Sequence, residues 1–339
     1  MRRVVPLLVI VFGAVALAFW LKGNSGSPTS PTTPVTTEDR IPKLKKQIAE
    51  QEGESAHAVT EYAPKIKTPL HELDSSVVDL LRQLPGVVQV EVGVAAKNPT
   101  SRIIHLRDWH YVPRELFALD MKAAHERELS ADEIDRLHEE LLLEVQLVQV
   151  EQMAVLRCLI QHHGLKKVFS EGFAPNELEA YREKIAVLKA MDSEQVPQVR
   201  MQLDEVRKLI EGATGEQKEN AQAIEAQLLT MLDEHKHRLL EMGAAGRLLI
   251  SGELEDVLPL EEAEALEKAK PVTPSGGVKL DPVRVEARHD AQVKHATAGG
   301  PVAVIVLGGA HDLSDAVRRF GGKCEYLRMT TKRFGEVSD

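Results

Sequence analysis

Three short apolar runs limit the folds open to this chain: RIIHL at 102–106, KVFS at 167–170 and PVAVIVL at 301–307. Each is bounded like a buried strand, and long helix-favouring stretches separate them. Connections of that length between strands normally carry crossover helices. The spacing therefore predicts an α/β fold with a mostly parallel central sheet flanked by helices. Two further strands are expected. Val87–Val94 alternates as VVQVEVGV, the period of a half-buried strand, and Lys323–Met329 follows a glycine pair near the C-terminus.

Helix signals fill the intervals. Ser130-Ala131-Asp132-Glu133 has the form of a capping box and opens a helix that runs to His163 and stops at Gly164. Leu73–Leu84 has helical spacing and ends at Pro85-Gly86. Leu248–Leu258, Glu261–Lys270 and Val283–Ala298 read as helical pieces, with Thr273–Gly277 as a loop, and another helix leads to Phe320. Residues 176–242 are charged and helix-favouring, with few Gly or Pro breaks. They are expected to form two or three long helices inserted in the domain as an arm. Its charge runs fit a solvated face, where His235 and His237 would lie in solvent.

Three segments follow along the chain: 1–22, a signal-anchor or signal peptide; 23–66, a flexible linker and lead-in; and 67–339, the α/β domain with its helical insertion. Arg2 and Arg3 precede Val4–Leu21, which carries no charge, and Lys22 closes the run. Its length just spans a bilayer, and the leading positive charges place the N-terminus inside. An uncleaved anchor is expected, with a cleaved signal peptide as the alternative. In both cases the remainder faces the extracytoplasmic, periplasmic-type side. GNSGSPTSPTTPVTT is a tether that cannot bury a core, and 38–66 reads as a helix with an irregular lead-in. The formal charge of −10 is spread over interleaved acidic and basic residues. Without a basic patch, no nucleic-acid partner is expected. Cys158 and Cys324 are read as two buried free thiols, with a disulfide as the alternative.

The chemistry gathers at strand ends. RIIHL runs into Arg107-Asp108-Trp109-His110, KVFS into Glu171-Gly172, and VAVIVL into Gly308-Gly309-Ala310-His311. Ligands of parallel sheets bind beyond the carboxyl ends of the strands, so these imidazoles and carboxylates would converge on one crevice. Such a set suits general acid–base hydrolysis. Alternatively, His110, Glu171 and His311 would hold a divalent metal that activates water. Gly308-Gly309 would let a ligand approach the backbone. The chain has no HExxH helix, GxSxG elbow or Walker-type phosphate loop. His105 falls within its strand and is expected in the core. His162 and His163 are read as structural residues favouring the helix macrodipole.

RDWH, VFSEGF and VIVLGGAHDLSDAVRRFGG, in this order, resemble the erythromycin esterase / ChaN-like / TraB–Tiki superfamily. Gly308-Gly309-Ala310-His311 looks like its late Gly-x-x-His motif, and Glu171-Gly172-Phe173 like its second site. The first motif departs from the family's Gly-Glu-x-His, with Arg107 in place of Gly and Asp108 in place of Glu. The resemblance implies a site of Asp108, His110, Glu171, Arg288 and His311, with Arg284 in reserve for the family's arginine. Members include macrolide esterases, metal-dependent proteases and haem-binding lipoproteins. The chain is thus expected to be a membrane-anchored extracytoplasmic hydrolase of ester or peptide bonds, acting on a small molecule or peptide, with a divalent metal as a candidate cofactor. The alternative is a non-catalytic haem- or metal-binding or scaffolding protein on the same fold.

Overall fold

The computed structural model describes residues 40–64, 68–72, 76–124, 129–269 and 281–338. The N-terminal apolar run, its tether and the loop expected at 273–277 lie outside them. Six strands form one sheet: β1 (Val87–Val94), β2 (Ser101–Asp108), β3 (Lys167–Ser170), β4 (Asp256–Pro259), β5 (Val302–Gly308) and β6 (Cys324–Thr331), in the order β1-β6-β2-β5-β3-β4. β1 is antiparallel to β6, and the other neighbours are parallel. The fold is α/β, as the spacing of the apolar runs requires.

Alternation along the strands sorts the core into two layers. Ile104, Leu106, Val304, Val306, Leu327 and Met329 face one side. There they meet α2 (Val77–Arg82), α4 (Ala131–His163) and α8 (Gly243–Ile250). Ile103, Ala303, Ile305, Leu307 and Tyr326 face the other, beneath α10 (Pro282–Ala298) and α11 (Ser314–Phe320). Both cysteines are free and buried, Cys158 in the first layer and Cys324 in the second.

α4 has the predicted ends. Ser130 Oγ accepts from the Glu133 amide at 3.2 Å, the Glu133 carboxylate accepts from the Ser130 amide at 2.9 Å, and Gly164 closes the helix at φ 69°. His163 is structural, but not as a helix-end cation. It is buried against the Thr68 carbonyl and the Tyr62 hydroxyl, and burial lowers its pKa.

α1 (Arg40–Glu61) lies along α4. Its Leu44 and Ile48 pack on Leu143 and Leu147. The arm comprises α5 (Leu178–Ala190), α6 (Val196–Gly212) and α7 (Gly215–Glu241). α6 and α7 fold back on each other over Val199, Leu203, Val206, Ala221 and Leu228. No helix among the described residues is long and apolar enough to cross a membrane.

Three expectations are corrected. Leu248–Leu258 is not one helix: α8 ends at Ile250, the chain turns at Gly252, and Asp256–Pro259 becomes β4 beside β3. Four residues are too few to display a period, so only pairing in the sheet makes them a strand. Pro259 is tolerated because β4 is an edge. The second correction concerns His235, which is buried and bonded to Asp192 at 3.2 Å instead of solvated. Finally, β2 runs two residues further than RIIHL, so Asp108 belongs to the ladder, opposite Gly308 of β5.

Candidate active site

Strand register decides which ends meet. β5 lies between β2 and β3, with Asp108 opposite Gly308 and Ser170 opposite Val306. Asp108 and the residue after Ser170 therefore flank the end of β5 on either side. His110, two residues past β2, reaches across that end to Glu171. Its Nδ1 lies 3.1 Å from Asp108 Oδ2, and its Nε2 contacts Glu171 Oε1. Gly308 makes the passage possible, because a Cβ there would stand 2.5 Å from His110 Nε2 and 3.3 Å from Glu171 Oε1.

The other oxygen of Glu171 faces two more groups, Arg288 Nη2 at 3.7 Å and His311 Nε2 at 3.8 Å. The structure thus brings Asp108, His110, Glu171, Arg288 and His311 into one cluster. Arg284, the reserve arginine, is elsewhere: it bonds Asp281 and the Lys268 carbonyl on the exposed surface.

His105 is a core residue. Its Nε2 donates to the Leu307 carbonyl at 2.8 Å, so Nδ1 accepts from the Tyr326 hydroxyl at 2.7 Å. Burial pushes its pKa down to about 3. Arg107 holds the loop after β5, donating to the Gly309 carbonyl at 3.1 Å and to Thr330 Oγ1 at 3.3 Å. Gly309 itself has no room for a side chain, because a Cβ would overlap the Phe334 ring.

Four partners were missed in the sequence. Gln152, buried in α4, donates to Asp108 Oδ1 at 2.8 Å. Glu261, fully buried after β4, accepts from Arg288 Nε at 3.0 Å, from Arg288 Nη2, and from Gln292 Nε2 at 3.0 Å. His289 Nε2 meets His311 Nδ1 at 3.0 Å. The i, i+4 spacing of Arg288 and Gln292 does put them on one face of α10, the only local signal for this group.

The environments drive the two site histidines apart. Burial opposes charging His110, but the charge of Glu171 and the bonds to Asp108 and Glu171 outweigh it and push its pKa up to about 10. Burial also opposes the Asp108 charge, yet the bond from His110 holds its carboxyl below the usual range. His311 is held well below 6.5, first by burial and then by the charge of Arg288. The same causes bring His289 to about 4.

These shifts make stability depend on pH in both directions. His110 gains protons on folding, so its contribution is complete below about pH 6.5 and is lost as pH rises toward 10. His289 loses protons on folding, so its contribution is complete above about pH 6.5 and is lost as pH falls toward 4. Melting temperature is expected to peak near neutrality. His110→Gln should flatten the alkaline limb and His289→Gln the acid limb. A wild-type melting temperature still rising at pH 9 would contradict the His110 assignment.

A metal is poorly matched to these donors. Both ring nitrogens of His110 face carboxylates, and Nδ1 of His311 is taken by His289. Among the described residues no group of three or more His, Cys, Asp or Glu side chains has the geometry to hold a metal ion. The groups form one cluster of acids, imidazoles and a guanidinium at the carboxyl edge of the sheet, joined partly by hydrogen bonds and, around Glu171 Oε2, by charge contacts of 3.7–3.8 Å. No protein-family model matches this chain, and neither a curated protein nor a solved structure matches it.

Proposed function

We propose that the chain is a hydrolase of ester or peptide bonds. It would be held at a membrane by its N-terminal apolar segment, with the α/β domain on the extracytoplasmic side. The observation that carries this reading is the placing of two imidazoles on either side of Glu171, His110 held between two carboxylates and His311 bonded to a second imidazole, surroundings that oppose their ionisation. Two titratable groups whose surroundings force their pKa values apart are the mark of an acid and a base in one site. At neutral pH His110 is an imidazolium able to give a proton, and His311 is a neutral imidazole able to take one. The resemblance of RDWH, VFSEGF and GGAHD to the erythromycin esterase / ChaN-like / TraB–Tiki superfamily supports the same reading.

In this mechanism His311 Nε2 takes a proton from water as the oxygen attacks the carbonyl, while His289 holds the far nitrogen and fixes the ring. His110 releases its proton to the departing oxygen or nitrogen as a substrate atom replaces Glu171 at its Nε2. Asp108, itself oriented by Gln152, keeps the ring in place. Arg288 anchors Glu171 between the two histidines. The carboxylates of Asp108, Glu171 and Glu261 face the cations His110 and Arg288, which leaves one net negative charge. A proton arriving on His311 cancels it. No step needs a metal.

His311→Ala and His110→Gln are each expected to lower kcat/KM on a panel of 4-nitrophenyl esters and peptide anilides by about 10²–10⁴-fold. Circular dichroism should show an intact fold. Activity in the wild type should hold through neutrality, fall only well below pH 6.5 as His311 protonates, and fall above about pH 10 as His110 loses its proton. Turnover unaffected by either substitution would remove the assignment.

A scaffolding role is the second reading. Six of the eleven large apolar side chains exposed among the described residues belong to the arm: Val187, Met201, Leu209, Ile224, Leu229 and Met231. Ile224 and Met231, two turns apart on α7, share one face. No turnover anywhere on the panel would favour this reading.

A further inference from the structure

Asp108, His110 and Glu171 form one end of a cleft of about 310 Å³, which continues between the end of β3, α5 and the junction of α7 with α8. Most of its wall is apolar, from Phe173, Tyr181, Leu240, Met242 and Ala244. The Phe173 and Tyr181 rings stack with centroids 4.2 Å apart and planes within 1°. Such a wall favours apolar and aromatic groups that leave water.

Charge narrows the class. Four carboxylates line the cleft, from Asp108, Glu171, Glu177 and Glu241, against the cations of Lys184 and His110. Lys184 is already paired with Glu241 at 2.8 Å. An anionic group would be repelled. The inner wall also holds an acceptor: Gln149 gives its amide N–H to the Leu240 carbonyl at 2.8 Å, while its buried amide oxygen has no hydrogen-bond partner among the described residues. An N–H or O–H of a bound molecule would satisfy it.

Position assigns the side of the scissile bond. His110 lines this cleft and His311 does not. We propose that the cleft receives the leaving-group side of the substrate. The group it takes is uncharged and mainly apolar, of about ten non-hydrogen atoms, since the volume matches about ten water molecules at roughly 30 Å³ each. This rests on the acid and base roles given above for His110 and His311. The ester C–O bond breaks, water supplies the hydroxyl of the acid product, and His110 protonates the departing alcohol.

The test compares three acetate esters on the full-length chain, so that the acyl group is constant: ethyl acetate, 3-phenylpropyl acetate and 3-carboxypropyl acetate. The phenylpropyl ester should exceed the ethyl ester in kcat/KM by at least about tenfold, and the anionic ester should fall below both. 3-Phenylpropanol should bind saturably. Ala180, on the exposed face of α5 at the cleft wall, provides the variant. Ala180→Trp, with its melting temperature preserved, should reduce the phenylpropyl-to-ethyl ratio and the affinity for 3-phenylpropanol about tenfold or more. Equal turnover of the ethyl and phenylpropyl esters without binding of the alcohol would overturn the cleft assignment and leave the hydrolase reading standing. Binding of the alcohol without turnover of any ester would overturn both the leaving-group assignment and the hydrolase reading.

Discussion

Replacing Glu261 by alanine is expected to cost the fold about 3–5 kcal/mol, the usual penalty for leaving one partner of a buried ion pair uncompensated. The Arg288 guanidinium is 3% exposed and donates from two of its nitrogens to Glu261, which is itself fully buried. Without Glu261 the cation loses the carboxylate that takes two of its nitrogens, Glu171 stands off at 3.7 Å, and Gln292 loses its acceptor. At roughly 2–4 °C per kcal/mol for a domain of this size, melting should drop by about 6–20 °C. Removing both charges together, as Glu261→Leu with Arg288→Met, should restore most of the stability, because no charge is then stranded. It should not restore activity, since Glu171 loses its anchor. A single Glu261→Ala variant that melts with the wild type would show that Arg288 is not held as described.

Gly308→Ala should act on the site more than on the fold. The added methyl would lie 2.5 Å from His110 Nε2, so the imidazole must leave Glu171. Displacement of a catalytic group by about 1 Å commonly costs about 100-fold in rate, and a loss of that order in kcat/KM is expected. The pKa of His110 should also fall from about 10, since the charge of Glu171 is the largest of the causes that raise it. Titration of the imidazole by NMR gives that readout even without a known substrate. A His110 pKa unchanged in Gly308→Ala would mean that the imidazole does not cross β5 at this glycine.

Several features were legible because their causes are local. The Ser130 capping box and the Gly164 stop rest on backbone groups within a turn of the residues that satisfy them. The alternation of Val87–Val94 and the β-branched run before Gly308 report burial through side-chain direction alone. Strand ends carrying His110, Glu171 and His311 could be read in the same way. The site's supports could not. Gln152 stands in a stretch of α4 where nearly every side chain is buried, so its polarity gave no direction, and Glu261 lies between two short elements of weak period. β4 was missed for a related reason, since four residues become a strand only when β3 is beside them.

By itself, the sequence determined that this is an α/β chain with a mostly parallel sheet and a helical arm. Those are consequences of hydrophobic period and connection length, which neighbouring residues impose on one another. It also limited the chemistry to residues at three strand ends. Tertiary structure alone decided which of them touch, because the order β2-β5-β3 and the pairing of Asp108 with Gly308 arise from contacts between segments far apart in the chain. Protonation was decided there as well. His110 and His311 are the same side chain in the sequence, and only burial together with the placement of Asp108, Glu171 and Arg288 makes one an imidazolium and the other neutral.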